Sequence, residues 1–490
     1  MYHPQKALLI CFFLTLVQCG GQVVRPPALV ADDGRITHLL NRIGFGPSPG
    51  DLIKVRQIGM DNYIEQQLKP AALPRSARLD ERLAALSTLD TPLVKLSEEF
   101  EPPKAEFNAL SDAERKTVNQ NKNRIVEELA QAKILRAVLS PAQLQEVMVD
   151  FWFNHFNVFA GKDADKIWIS SYERDAIRPF VLGKFQDLLF ATAKHPAMLF
   201  YLDNWQNAAP DSPGTRNKQP GINENYAREL LELHTLGVNG GYTQQDVTTL
   251  AQILTGWGLT SGKELWRRAA FDFNPRRHDA GGKTLLGFQV GGTGQGAAEI
   301  ETVLAKLARH PATARHVAYQ LAQYFVADQP PESLVNKLSS VFLSSDGDIA
   351  VVLRNLFAST EFWDQKYTQN KFKPPFRYLV SSLRAANLPP PEDGKPLLGA
   401  LRNMGEPLYF CLTPNGYANS QEPWLNPDAL LKRIDFSRGW LRAAAGEAAA
   451  PTIKSSFGNL WSKNTLDTVA DSNPGLKPVL LLNSPEFLYY

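Results

Sequence analysis

Cysteine is nearly absent from this chain. Its 490 residues hold three, Cys11, Cys19 and Cys411, and the first two fall in an N-terminal leader. The body therefore carries one thiol and no internal disulfide. Cys411, in LYFCLTPNG, has no adjacent base and reads as a small core residue. An excess of either charge is lacking too. The 52 basic and 50 acidic side chains leave a formal net charge of +2, which gives no pull on a polyanion and no nucleic-acid partner. After the leader no apolar run is long enough to cross a bilayer. Period-two alternation is scarce, so the class is mostly α. Several catalytic templates are missing as well: there is no Gly-x-Ser-x-Gly elbow, no Walker loop, and no Gly-x-Gly-x-x-Gly after a strand.

What is present begins with that leader. Lys6 precedes an apolar run from Ala7 to Val17, followed by Gln18-Cys19-Gly20-Gly21. This is a signal-peptide pattern, too short for a permanent membrane span. Leu16-Val17-Gln18-Cys19 also matches a bacterial lipobox with Cys19 as the lipidated residue, although Gln18 stands where a small residue is usual. Export follows from either reading, to the periplasm, to an outer-membrane lipid anchor or to the medium. The lipid anchor would be the only membrane contact. The organisation expected is a leader over 1–21, a short linker over 22–33 and a large multi-helix domain over 34–490, in one body or two lobes. Residues 70–125, polar and broken by prolines, read as a peripheral helical insertion. Residues 271–296 form the one glycine-rich, aromatic region, with short strands around Gly281-Gly282.

The densest signals lie between Gly221 and Trp257. Ile222–Leu236 predicts a helix ending at Gly237, a residue suited to a left-handed cap. Thr243 and Asp246 open the next helix as a capping box. The first helix sorts Tyr226, Leu230 and Leu233 to an apolar stripe edged by His234, and Glu224, Arg228 and Glu232 to the other side with Asn225 and Glu229. Upstream, Ser140-Pro141-Ala142-Gln143 predicts a capped helix whose core stripe ends in Phe151 and His155.

A run of motifs, HLLNRIGFGPSP, LSPAQLQEVMVDFWFNHFNV, YERDAIRPFVLGKFQDLL, AKHPAMLFYLDN, NENYARELLELHTLGVNGGYTQQDV, LTGW, FNPRRHDAGGKTLLG and LNSPEFL, occurs in this order. Together they resemble the bacterial domain-of-unknown-function family 1800 from about His38 to the C-terminus. The resemblance implies an exported, mostly helical protein, commonly encoded beside an exported partner of family 1501, and it supplies no reaction. Phe153 stands where that family often has histidine, which removes one candidate ligand.

The candidate chemistry is then one of residue types. His155 and His234 each sit on a core-facing stripe, as a satisfied core histidine or as a ligand or base. No His-Glu-x-x-His or Glu-x-x-His spacing is present, and Glu232 and His234 point about 160° apart on one helix, so no metal or cofactor is specified. Glu229 and Glu232 could act as acid and base if covered, and are otherwise part of an exposed ion-pair lattice with Arg228. In the loop FNPRRHDAGGK, Arg277 and Lys283 could hold an anionic or carbonyl group while His278 moves a proton, against a simple turn capped by Asp279. The expectation is an acid–base, hydrolytic enzyme on a polar extracytoplasmic substrate. His155, Glu229, Glu232, His278 and Asp279 would be catalytic, and Asn154, Asn225, Arg228, Arg277 and Lys283 would bind substrate. The alternative is a non-catalytic envelope scaffold or chaperone for the family-1501 partner. The two separate on whether these side chains, and the histidines 155, 234 and 278 above all, meet in one place.

Overall fold

The computed structural model describes residues 32–210, 212, 221–262, 264–292, 296–444 and 448–490. The leader, Cys19 and most of the linker lie outside them. Among the described residues the fold is mostly α, and none of its helices is long and apolar enough to cross a membrane. The elements that position the site are α1 (Asp33–Ile43), α2 (Asp112–Leu139), α3 (Gln143–His155), α4 (Asp165–Ser171), α5 (Asn225–Glu229) and α6 (Gln244–Ile253). They are followed by α7 (Ala297–Ala308), α8 (Pro311–Phe325) and α9 (Pro375–Ala385). Two antiparallel pairs interrupt them between α6 and α7: β1 (Trp257–Leu259) with β2 (Phe271–Phe273), and β3 (Lys283–Leu285) with β4 (Phe288–Val290).

Helix α9 is the axis of the core, since every residue from Pro375 to Ala385 is buried. A helix apolar all round would need no more than packing, but this one carries Arg377 and Arg384. Both donate to the carbonyls that helices leave unpaired at their C-termini. Arg377 donates to the carbonyls of Asn41 and Gly44 at the end of α1, at 2.7 and 2.6 Å. Arg384 donates to Val138 at the end of α2 and to Gly46, at 2.9 and 2.8 Å. Each guanidinium also meets the negative end of a helix dipole there. Two cations thus tie two helix ends to one buried rod.

The segment 70–125 is helical, and most of α2 before Ile125 is exposed; from Ile125 onward α2 turns its apolar stripe into the core. The capping box expected at Ser140 does not form. Gln143 turns back to the carbonyls of Ala137 and Ser140 and accepts from Phe45 N–H, so it stitches α1, α2 and α3 together instead of closing on its own helix.

The central stretch starts its helix at Asn225, three residues later than the sequence pattern suggests. Asn223 accounts for this: its N–H is held by Asn207 and its side chain accepts from Asn225 N–H, which fixes a turn there. Leu230–His234 then widens into a π turn and ends at Gly237, whose φ is +83°. The Thr243–Asp246 capping box is present. The β3–β4 hairpin falls within the glycine-rich region, with Leu286 and Gly287 both at positive φ, the geometry of a tight hairpin turn.

Candidate functional site

A partly open polar cavity of about 50 Å³ lies where α2, α3, α8 and α9 meet, lined also by the loops around Glu406 and Tyr417 and by Tyr490. At roughly 10–15 Å³ per water, it holds on the order of four waters or one small polar group. Lys133 enters from the apolar stripe of α2 (Val126, Leu129, Ala130, Lys133, Ala137), where a cation is out of pattern. Its ammonium pairs with Asp150 of α3 at 2.8 Å and lies 5.3–5.6 Å from the rings of Tyr409, Phe153 and Phe376. Those three rings form an aromatic cage, a setting that favours a cation.

Glu406 is the second carboxyl. It is buried, and its Oε2 accepts the N–H of Phe376 in the first turn of α9 at 2.7 Å. Burial, and next the charge of Asp150, pushes its pKa up to about 8, against that N–H and Lys133. Glu406 is therefore a protonated acid at neutral pH beside a carboxylate held by a lysine. A buried carboxyl with a raised pKa beside a second carboxyl is a usual basis of acid–base pairs.

Tyr409 completes this wall with φ at +66°, a left-handed conformation that costs a bulky residue about 1–3 kcal/mol. It is held there from both ends. Its carbonyl accepts from Ala160 N–H at 2.9 Å, and its hydroxyl donates to Glu173 at 2.6 Å. Burial alone would raise the Glu173 pKa, but Arg178, Lys133, Arg136 and that hydroxyl reverse the effect and leave it lowered. Asn154, read from sequence as a substrate binder, does line this cavity. However, its amide is committed to the backbone of Tyr417, donating to the carbonyl at 2.8 Å and accepting from the N–H at 2.7 Å. It positions the closing loop. Phe153 contributes only its ring.

The other candidates fall into three separate groups. His155 and His234 do meet, with ring centroids 6.2 Å apart, but the third member is His316 of α8, 6.1 Å from His155, and not His278. Their hydrogen bonds assign themselves once the Gln320 amide is oriented to suit them. His155 Nε2–H donates to the His234 carbonyl (3.1 Å), the Gln320 amide donates to His155 Nδ1 (2.6 Å), and His316 Nε2–H donates to Gln320 and to the Leu233 carbonyl (both 3.1 Å). Burial, then His316, lowers His155 to about 4, and burial also lowers His234 and His316. These are neutral core histidines: the rings of His155 and His316 are hydrogen-bonded, whereas His234 Nε2 is buried with no hydrogen-bond partner among the described residues. No group of three or more His, Cys, Asp or Glu among the described residues is arranged to hold a metal ion.

The His278 loop folds onto Glu299 of α7, a residue with no signal in the sequence. His278 Nδ1–H donates to the Thr255 carbonyl at 2.8 Å, and its Nε2 faces Glu299 at 3.5 Å. Lys283 donates to the carbonyls of Asp279 and Gly281 and lies 3.5 Å from both Glu299 and Asp279. The β1–β2 pair carries this loop to the start of α7, and among the described residues the ring beside His278 is Phe273. Arg277 donates to the Asn207 carbonyl and lines a separate cleft of about 220 Å³ beside Trp205 and Arg268.

The third group is the ion-pair lattice. Arg228 reaches Glu224 at 3.2 Å and Glu232 at 3.5 Å, and donates to Gln244 at 2.8 Å, all partly exposed. Burial and then Glu232 raise the half-buried Glu229. Asn225 donates to the Leu202 carbonyl and anchors its helix. Sequence reasoning missed Lys133, Asp150, Arg377, Glu406 and Tyr409. Only Lys133 and Arg377 had a detectable signal, as cations on otherwise apolar helix faces.

The chain belongs to the DUF1800 family, described as a protein of unknown function, whose profile matches residues 38–489. Neither the curated proteins nor the solved structures contain a match to it.

Proposed function

We propose that this member of the DUF1800 family is an exported hydrolytic enzyme working by acid–base catalysis at the cavity between α2, α3 and α9. The observation that carries the reading is Glu406, a carboxyl protonated at neutral pH, lining the same small polar space as the Asp150 carboxylate. Asp150, paired with Lys133, takes a proton from a water as that water attacks the substrate. Glu406 gives its proton to the departing oxygen or nitrogen. Export rests on the leader, and the mature chain then starts at Cys19 or within a few residues of Gly21, which intact mass of the exported protein checks.

The test is a panel of chromogenic esters, glycosides and phosphate esters. Glu406→Gln and Asp150→Asn should each lower turnover on the responding substrate by about 10²–10⁴, with the thermal midpoint checked for each variant. Turnover unchanged in both folded variants rejects the reading. The internal pairing of the His155, His278 and Arg228 groups favours a second reading, a scaffold for a family-1501 exported protein. In that case the purified pair forms a complex that Glu406→Gln leaves intact, and no substrate of the panel is turned over.

A further inference from the structure

Arg377 has more to offer than its two helix-end contacts use. A guanidinium carries five N–H groups. Nη1 spends both of its own on the carbonyls of Asn41 and Gly44, and Nη2 spends one on the Tyr324 hydroxyl at 3.2 Å. Nε–H and one Nη2–H find no acceptor among the described residues. Nε and Nη2 share the side of the guanidinium that grips a carboxylate or phosphate with two parallel hydrogen bonds. The faces of the group are covered by rings, Tyr490 at 4.6 Å, Phe45 at 5.2 Å and Tyr324 at 5.6 Å, so its orientation is set by packing. Arg377 is 4% exposed and lines the cavity.

Lys133, on the same wall, forms one ion pair, with Asp150, and has no other polar partner among the described residues. Behind Tyr490 sits Arg42, fully buried, its guanidinium 4.8 Å from that ring and in no ion pair among the described residues. Lys371 beside it is cancelled by Asp328. Among the described residues Asp150 is the one carboxylate in a direct ion pair with Lys133, Arg377 or Arg42, while Glu173 acts on Lys133, and Asp328 and Tyr490 on Arg42, without a direct pair. Buried cations with unspent donors beside a small polar cavity are the chemistry that receives an oxyanion.

We propose that this cavity receives a small oxyanion, the carboxylate or phosphate group of the substrate, on the free edge of Arg377 with Lys133 beside it. The proposal rests on the enzymatic reading for calling that anion a substrate group. The volume admits the group alone, so the remainder of the substrate stays outside the cavity.

The experiment is a titration of the purified mature chain with inorganic phosphate and, separately, acetate, at constant ionic strength set with chloride. Calorimetry and the thermal midpoint are the readouts. Saturable binding of one or both is expected; phosphate alone identifies a phosphate group, and acetate alone a carboxylate. Arg377→Lys keeps the charge and loses the two-pronged edge, and should weaken binding by about tenfold or more. Because Arg377 also ties the end of α1, Lys133→Met is measured alongside and should weaken binding as well. No saturable binding of either anion to the wild-type chain overturns the proposal, as does unchanged affinity in the folded variants. Glu406→Gln separates the two ideas. Anion binding in a chain whose turnover Glu406→Gln leaves intact overturns the enzymatic reading and keeps the receptor. Turnover lost in Glu406→Gln, with no anion bound by the wild type, overturns the receptor only.

Discussion

Glu406 and His155 are both buried, yet they bend the stability of the protein against pH in opposite directions. The native Glu406 carboxyl keeps its proton up to about 8, whereas in the unfolded chain it releases it near 4.5. Its contribution to stability is therefore complete below about 4.5 and lost as pH rises towards 8. His155 is held neutral down to about 4 against 6.5 when free, so its contribution is present above 6.5 and lost as pH falls through 4. His38 and His195, each lowered to about 3, first by burial, act in the same sense. Denaturant titrations across pH should show stability falling on both flanks. Glu406→Gln should flatten the alkaline side between about 4.5 and 8 and leave the acid side unchanged. An alkaline flank identical in the variant would mean that Glu406 ionises normally. At the same scale, Glu232→Gln removes a partly exposed pair with Arg228 and alters a contact to Tyr242, and should shift stability by under about 0.5 kcal/mol in chemical denaturation.

Among the elements, the turn after the π-wide Leu230–His234 segment is the most sharply constrained. Gly237 ends it at φ +83°, and a Cβ there would stand 2.8 Å from His316 Nδ1. Gly237→Ala thus meets both backbone strain and the histidine group. A loss of about 1–3 kcal/mol is expected from the strain alone, read from the denaturation midpoint. An alanine variant as stable as wild type would show that the turn relaxes away from His316. Helix α9 is constrained differently: its arginines bond the ends of α1 and α2, so its register sets where Phe376 N–H meets Glu406 and where Arg377 lines the cavity. Lys133, Asp150 and Arg377 stand on helices, which suits groups that must hold their geometry.

Across the whole molecule, burial is uneven, and local stability should follow it. In hydrogen exchange the α9 amides from Tyr378 onward should be the slowest, opening only with global unfolding. Those of α2 before Ile125 should exchange faster by orders of magnitude, because that half of the helix is exposed. Equal protection along α2 would mean that its exposed half is covered in solution.

Periodicity and caps made the helical class, the Gly237 stop and the Thr243–Asp246 start legible in the sequence, because those features depend on residues within one or two turns of each other. Ordered motifs were enough for the family. The meeting of His155 with His234 was legible as well, since each lay on a core-facing stripe, but its third member, His316, sits 82 positions beyond His234 and no local pattern links them. The same limit hid the cavity. Asp150 and Lys133 are neighbours only because α2 and α3 fold back on each other, and Glu406 reaches the start of α9 from a loop 30 residues later in the chain. What the sequence alone determined is what local backbone preference and apolar spacing encode. Which charges are buried together, and so which carboxyl keeps its proton, was decided by tertiary packing, because desolvation and pairing depend on distance in space and not along the chain.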